Sequence, residues 1–391
     1  MRVYYLLPVG TTEKYTSLSG AGAIPKVQTD LQKYYTEIGI TIRPIFSYQW
    51  NEESQDSLNA RVDVLLSGMV QDDILILSTP TFYNSEGYIN TIVERAHTSF
   101  KVKVVALTLD LFAFRHETQY AKQHQFGEYF DYWIHREQSL ISQCDAVITQ
   151  SNEMAQAIFD NFKYDKPVIV QGPWGFDTTK VPQPQKQQSS LMFAGSPGKA
   201  GYLKELSQHL KHNFNIISAF DQVVPNPEAP DFDPSWTHDA PTNIHIVTRQ
   251  YDASYVDQML SGGFGLVWDS LTYPEVTGAF GKYMQLAMPH KFSMYTVAGI
   301  PSIVWSKSCL APLITQKKIG WVIDDLSELD DLIDDVSPEE YQGRVARLDE
   351  FSNLIRSGYF SKKAIFNLIS ALNGDQYERP SADVHLTVGY Q

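Results

Sequence analysis

Lys291 stands where a lone cation is out of place. It falls in the first turn of a short helical pattern, Phe292–Ala298, entered through Pro289 and stopped by Gly299 and Pro301. The positive end of the helix dipole disfavours an ammonium there. An anion at the same helix end reverses the sign, because backbone N–H groups and the ammonium then grip it together. A nucleotide diphosphate is such an anion; a solvated lysine before an ordinary strand-helix turn is the alternative. A second phosphate-type signal is the turn Gly195-Ser196-Pro197-Gly198, with Lys199 and Lys204 beside it. A third is Thr248-Arg249, placed to meet a base, ribose or phosphate. Lys199, Arg249 and Lys291 each follow a strand of one domain, so they converge on one rim as an anion site.

The first half carries different chemistry. Gly20 and Gly22 precede Pro25 in a loop that permits close backbone approach to a substrate, although no GxGxxG dinucleotide fingerprint is present. Thr79, Pro80 and Thr81 end a strand with hydroxyls that either meet a sugar or peptide, or cap the next helix. Asp110 sits at the carboxyl end of another strand, with His116 close by in sequence. A carboxylate there can serve as general base for an acceptor hydroxyl, or simply cap a helix or form an ion pair.

The elements that must position these residues alternate. Strands are expected at Val3–Leu7, Ile40–Phe46, Asp73–Ser78, Val102–Leu107, Ala146–Thr149 and Pro167–Val170. Helical patterns lie between them at Lys26–Glu37, Leu58–Met69, Tyr88–Thr98, Tyr132–Ser142 and Glu153–Phe162. Phe176 to Ser190 is poor in large apolar residues and reads as a linker. Alternation resumes with strands at Leu191–Ala194, Asn215–Ala219, Ile244–Thr248, Phe264–Trp268, Ser302–Trp305 and Trp321–Ile323. Their helices are Tyr202–Leu210, Ser254–Leu260, Phe292–Ala298 and Ala311–Gln316, and two more, Pro338–Arg356 and Lys362–Leu372, close the chain. The Pro- and Asp-rich stretch Asp221 to Thr242 reads as a long loop, either functional or a plain insertion. This order implies an α/β protein with two doubly wound parallel sheets facing a cleft, ligands lying beyond the carboxyl ends of strands. The domains expected are 1–175, 191–356, and a helix and tail over 357–391 that returns to the first domain.

A chain of 391 residues fits two domains, and 43% hydrophobic content suits a globular one. A formal net charge of -14 argues against nucleic acid or an anionic membrane as main partner. The 2 cysteines, Cys144 and Cys309, fit neither a disulfide scaffold nor a zinc site, and no metal site is expected. The acidic pairs Asp324–Asp325, Asp330–Asp331 and Asp334–Asp335 lack calcium-loop spacing and read as a solvated surface. Without a signal-peptide pattern or a spanning apolar run, the expected location is the cytoplasm.

The segment SGGFGLVW (Ser261–Trp268) followed by PHKFSMYTVAGIPSIV resembles the donor-binding half of GT-B glycosyltransferases. More narrowly, the chain is similar to bacterial glucosyltransferases that add the second sugar to serine-rich-repeat adhesins. STPT at Ser78–Thr81, IVQGPW at Ile169–Trp174, FAGSPGK at Phe193–Lys199 and SGYFSKK at Ser357–Lys363 extend the likeness over nearly the whole chain. The resemblance implies two Rossmann-like domains, a UDP-sugar donor on the second, and a GlcNAc-modified serine-rich-repeat acceptor mainly on the first. It also implies a homo-oligomer, a tetramer. It puts the basic diphosphate position on Lys291 and a second basic position, where the family favours Arg, on Lys199. Arg249 replaces a tyrosine that helps hold the nucleotide. The expected donor-binding set is thus Lys291, Arg249, Lys199, Thr248, Gly195 and Ser196, with His290 and Phe292 flanking Lys291. The expected acceptor set is Gly20, Gly22, Thr79 and Thr81, and Asp110 is the expected catalytic residue. The activity implied is transfer of glucose or N-acetylglucosamine; a sugar-nucleotide epimerase of the same fold and a non-catalytic glycoprotein-binding partner are the rivals.

Overall fold

The computed structural model describes residues 1–9, 23–81, 84–115, 127–179, 189–218, 233–248, 263–375 and 377–382. The first sheet contains β1 (Val3–Val9), β2 (Thr41–Phe46), β3 (Ile74–Thr79), β4 (Lys103–Thr108), β5 (Ala146–Thr149) and β6 (Val168–Val170). Its helices are α1 (Ala23–Glu37), α2 (Gln55–Leu66), α3 (Glu86–Arg95), α4 (Phe112–Arg115), α5 (Gly127–Gln143) and α6 (Asn152–Phe162). The second sheet contains β7 (Ser190–Ala194), β8 (Asn213–Ser218), β9 (Ile244–Thr248), β10 (Phe264–Val267), β11 (Ser302–Trp305) and β12 (Gly320–Ile323). Around it lie α7 (Leu203–His209), α8 (Gly278–Tyr283), α9 (His290–Val297), α10 (Ala311–Lys317), α11 (Leu329–Asp335), α12 (Pro338–Arg356) and α13 (Tyr359–Leu372).

Every strand pair is parallel. Helices therefore cover both faces, and β3, β4 and β10 read as nearly unbroken buried runs. Serine hydroxyls at Ser54, Ser85, Ser151 and Ser337 accept the N–H groups that open α2, α3, α6 and α12. Elements not anticipated from periodicity include α4, α8, α11 and the 3-10 turn Pro234–Asp239 within the long loop. None exceeds 7 residues, too short for a helical repeat to register. The expected helix Ser254–Leu260 lies outside the described residues.

Strand order in the first sheet is β2-β1-β3-β4-β5-β6, and in the second β12-β11-β10-β7-β8-β9. The winding reverses between β1 and β3, and again between β7 and β10. A crevice opens beyond the carboxyl ends of each such pair.

Helix α13 crosses back to the first sheet. Its Ala364, Ile365 and Leu368 share a core with Tyr5, Tyr35 and Ile148, and Lys103 Nζ donates to Leu372 O at 2.6 Å. Tyr377 docks the chain beyond it, its hydroxyl accepting from Val168 N–H at 2.8 Å. Among the described residues, no helix is long and apolar enough to cross a membrane.

Candidate active site

Helix α9 is aimed by a missing side chain. A Cβ on Gly265 of β10 would lie 2.6 Å from the Tyr295 ring. Glycine at that position lets α9 press onto the sheet. Tyr295 Oη then accepts from Ala194 N–H at 2.8 Å and donates to Met192 O at 3.3 Å, fixing the helix over β7 and β10. Gly299, at φ 76°, ends α9 and lets Ile300 N–H reach back to Tyr295 O at 2.9 Å. One turn before Tyr295, Lys291 is thereby held over the reversal point of the second sheet.

Lys291 Nζ donates to Asp269 Oδ1 at 2.6 Å and to Trp268 O at 3.2 Å, at the carboxyl end of β10. It also lies over the Phe193 ring, 4.7 Å from the centroid. A Cβ on Gly195 would sit 3.3 Å from the same ammonium, so the bare backbone of the turn after β7 faces it directly. Lys199 ends the short 3-10 turn Pro197–Lys199 and stands over the Phe280 ring at 5.0 Å. Burial pulls its ammonium pKa down to about 8, helped by the positive charge of Arg115 and opposed by Asp269 and Asp110. Lys199 is close enough to Lys291 for the two positive charges to repel, and of the two it is Lys291 that faces Gly195.

The first domain supplies the opposite wall. Asp110 follows β4 and forms an ion pair with Arg115 through Oδ2. The Arg115 guanidinium lies over Phe280 at 5.0 Å, so one ring of the second half carries a cation from each domain. Tyr283 Oη accepts from Leu111 N–H at 2.9 Å, and Gln150 Oε1 accepts from Met288 N–H at 2.8 Å. These bonds seat the segment between β10 and α9 on the carboxyl ends of the first sheet.

Several expected site residues lie elsewhere. Phe292 is 1% exposed and packs near Phe351 at 6.1 Å, in the core and not in the cleft. His290 is also turned away: its ring stacks on Phe176 at 5.0 Å. Burial, with the nearby Lys26 charge, pulls its pKa to about 3, so the imidazole is neutral. Adjacent positions on a helix diverge by about 100°, which is why the neighbours of Lys291 do not share its direction. Thr79 is buried and donates to Asp110 O at 3.4 Å, a bond that shapes the loop and does not present a hydroxyl. Thr81 Oγ1 accepts from Arg136 Nη2 at 3.0 Å. Thr248 is exposed at the end of β9, the edge strand, with β8 between it and β7, so it is not gathered with the lysines. Ser196 is exposed and its hydroxyl makes no cap bond. Gly20, Gly22, His116 and Arg249 lie outside the described residues.

Sequence reasoning missed four groups. Asp269 directly follows a strand, and the rule used for Asp110 would have found it. Arg115 lies between Asp110 and His116 in sequence but carries no spacing signal. Arg136 and Glu137 sit in the middle of α5, where nothing in the periodicity marks them. Glu137 is buried, its two oxygens accepting from Phe112 and Ala113 N–H at 3.0 Å each. Burial raises its carboxyl pKa to about 8 despite those bonds.

Comparison with known proteins now has a geometry to meet. Residues 12–173 match the family model "Glucosyltransferase 3-like, N-terminal domain", and residues 191–368 match "Glucosyltransferase 3-like, C-terminal domain". The chain is 26% identical over 368 residues to Glucosyltransferase 3 of Streptococcus gordonii, covering 93% of this chain and 98% of that protein. It is 24% identical over 365 residues to Glucosyltransferase 3 of Streptococcus parasanguinis, covering 93% and 97%. Among solved structures, a sucrose-phosphate synthase from Thermosynechococcus elongatus superposes with TM-score 0.61 at 9% identity, covering 96% of this chain and 100% of that one. A glycosyltransferase from Rickettsia africae gives TM-score 0.59 at 10% identity, with the same coverage. At such identities these structures establish the two-domain GT-B architecture alone.

Proposed function

The chain is a glycosyltransferase of the glucosyltransferase 3-like family, and on that premise we propose that it moves glucose or N-acetylglucosamine from a UDP-sugar to a GlcNAc-modified serine-rich-repeat adhesin. The observation that carries this reading is Lys291 facing the bare backbone of Gly195 at the reversal point of the second sheet, with the Lys199 ammonium close enough for the two charges to repel. A diphosphate fits there: backbone approach is close, two ammonium groups are at hand, and the N-terminus of α9 adds its dipole. Binding exchanges the Asp269 carboxylate on Lys291 for phosphate oxygens.

In transfer, the bond from the anomeric carbon to the UDP oxygen breaks and a bond to the acceptor oxygen forms. Lys291 and Lys199 stabilise the charge that develops on the leaving diphosphate. Asp110, on the facing wall, orients the acceptor hydroxyl or takes its proton, with Arg115 fixing the carboxylate. Because ammonium groups meet the diphosphate charge, transfer should proceed at the same rate with EDTA present, and a rate lost to EDTA and restored by a divalent cation contradicts this. The homotetramer and the cytoplasmic location implied by resemblance belong to the same proposal, and light scattering of the purified chain tests the first.

The deciding experiment incubates the chain with a panel of UDP-sugars and a GlcNAc-bearing serine-rich peptide, read by mass. A gain of one hexose or one N-acetylhexosamine supports the reading and identifies the donor mass. Isomerised UDP-sugar without peptide mass gain indicates the epimerase; peptide binding without UDP release indicates a glycoprotein-binding partner.

A further inference from the structure

Holding Asp110 occupies one nitrogen of Arg115, Nη1. A guanidinium carries five N–H donors in a planar fork and stays charged at any working pH. The Arg115 side chain keeps 22% of its surface exposed, and among the described residues its hydrogen-bonded partner is Asp110 alone. Its Nε is enclosed, which leaves the terminal nitrogens as the donors it can offer.

The surroundings of that charge indicate its use. Arg115 Cζ and Lys199 Nζ each lie 5.0 Å from the Phe280 ring centroid. The two charges, one from each domain, are therefore no more than about 10 Å apart, roughly one screening length at physiological salt. Burial aside, Arg115 acts on Lys199 more strongly than any other charge, and Lys291 acts on it in the same direction. Two carboxylates stand among these three cations, Asp110 on Arg115 and Asp269 on Lys291, so the cluster carries one positive charge in excess. Like charges gathered without a counter-ion repel. A polyvalent anion entering between the two walls removes that repulsion, and a planar fork suits phosphate oxygens.

Resting on the transferase reading, we infer that Arg115 is a donor-binding residue supplied by the first domain: Nη1 stays on Asp110 while the other terminal nitrogen donates to a diphosphate oxygen of the UDP-sugar, opposite Lys199 and Lys291. One planar group then holds both the leaving diphosphate and the carboxylate that meets the acceptor hydroxyl. A donor seated on the second domain alone would leave Arg115 facing two ammonium groups with no anion between them.

Calorimetry of UDP with the full chain, without acceptor, tests this. Arg115→Gln alone strands the Asp110 charge, so the informative variant combines it with Asp110→Asn, removing one charge of each sign. This double variant should bind UDP about tenfold more weakly than the unmodified chain, the scale of a lost hydrogen bond to a charged group. If Arg115 only supports Asp110, the double variant binds UDP as the unmodified chain does, and the assignment is overturned. Arg115→Gln alone supplies a second readout. Its fall in UDP affinity with rising pH should begin at higher pH, because a positive charge that depresses Lys199 is gone. An unmoved curve separates Arg115 from Lys199 and equally overturns the assignment. Should the double variant fail to fold, Arg115→Lys is compared with Arg115→Gln: lysine keeps a charge within reach and should recover part of the lost affinity. Equal affinity in those two variants and the unmodified chain counts against Arg115. UDP binding that depends on Lys291 but not on Arg115 sinks this inference and leaves the donor site intact. No UDP binding by the unmodified chain sinks the donor reading itself.

Discussion

The two sheets share topology but not chemistry at their rims. Both are all parallel; in the second the lysines lie where the winding reverses, between β7 and β10, whereas in the first the polar cluster lies one strand along from the β1–β3 reversal. Beyond β7 and β10 the residues are Gly195, Lys199, Asp269 and Lys291: bare backbone beside two ammonium groups, one of them paired with a carboxylate. Beyond β3 and β4 they are Thr79, Thr81, Asp110, Arg115, Arg136 and Glu137, bound to one another and to backbone. One rim meets charge; the other presents shape and fixed donors. A parallel sheet decides where a ligand lies, and the side chains after each strand decide which kind.

Four measurements break or sharpen that contrast. The largest effect belongs to Lys291→Ala, which should weaken UDP about tenfold to a hundredfold, from the roughly 1.5–3 kcal/mol of a hydrogen bond to a charged group. Lys363→Ala, an exposed lysine on α13, serves as control. Calorimetry giving the two variants equal affinity would remove Lys291 from the site.

The second measurement is the pH dependence of UDP binding. Lys199 has a pKa of about 8, and only its charged form attracts a diphosphate. Affinity is expected to hold below pH 8 and to fall above it, approaching tenfold per pH unit. Lys199→Arg should flatten the curve, since a guanidinium stays charged. A curve flat to pH 9.5 in the unmodified chain contradicts this.

The first rim should answer in stability instead. Glu137 has its folded pKa raised from 4.5 to about 8, so the folded chain holds a proton that the unfolded chain releases. That stabilisation is complete below about pH 4.5 and is lost as pH rises through 8. The melting temperature should decline over that window, and Glu137→Gln should reduce the decline even though glutamine forfeits one of the two acceptors. An unchanged slope in the variant assigns the proton elsewhere.

The smallest effect is that of Asp269→Asn. Without its charge, Lys291 is free for phosphate, and UDP should bind a few-fold tighter while the ligand-free chain melts earlier. Weaker UDP binding would instead make Asp269 part of the nucleotide grip.

Much of this was legible beforehand. Strand positions, the stop at Gly299 and the anomalous Lys291 are local signals, and residues beyond parallel strands share a rim whatever the packing. Lys199 could be paired with Lys291 for that reason. Thr248 could not be sorted by the same rule, because strand order places β9 at the sheet edge, and order is invisible in a linear pattern. His290 and Phe292 failed for a rotational reason: adjacent helical residues diverge by about 100°.

Taken alone, the amino-acid sequence determined the alternation of strands and helices, the two-domain α/β class and a short roster of charged residues after strands. These depend on periodicity and on turn chemistry, which act over a few neighbouring positions. Only the tertiary structure decided that Arg115 and Lys199 share one aromatic ring, that Asp269 holds Lys291, and that Arg136 and Glu137 lie buried behind Asp110. Those meetings join residues far apart in the chain, and burial and charge pairing exist only once the sheets have brought them together.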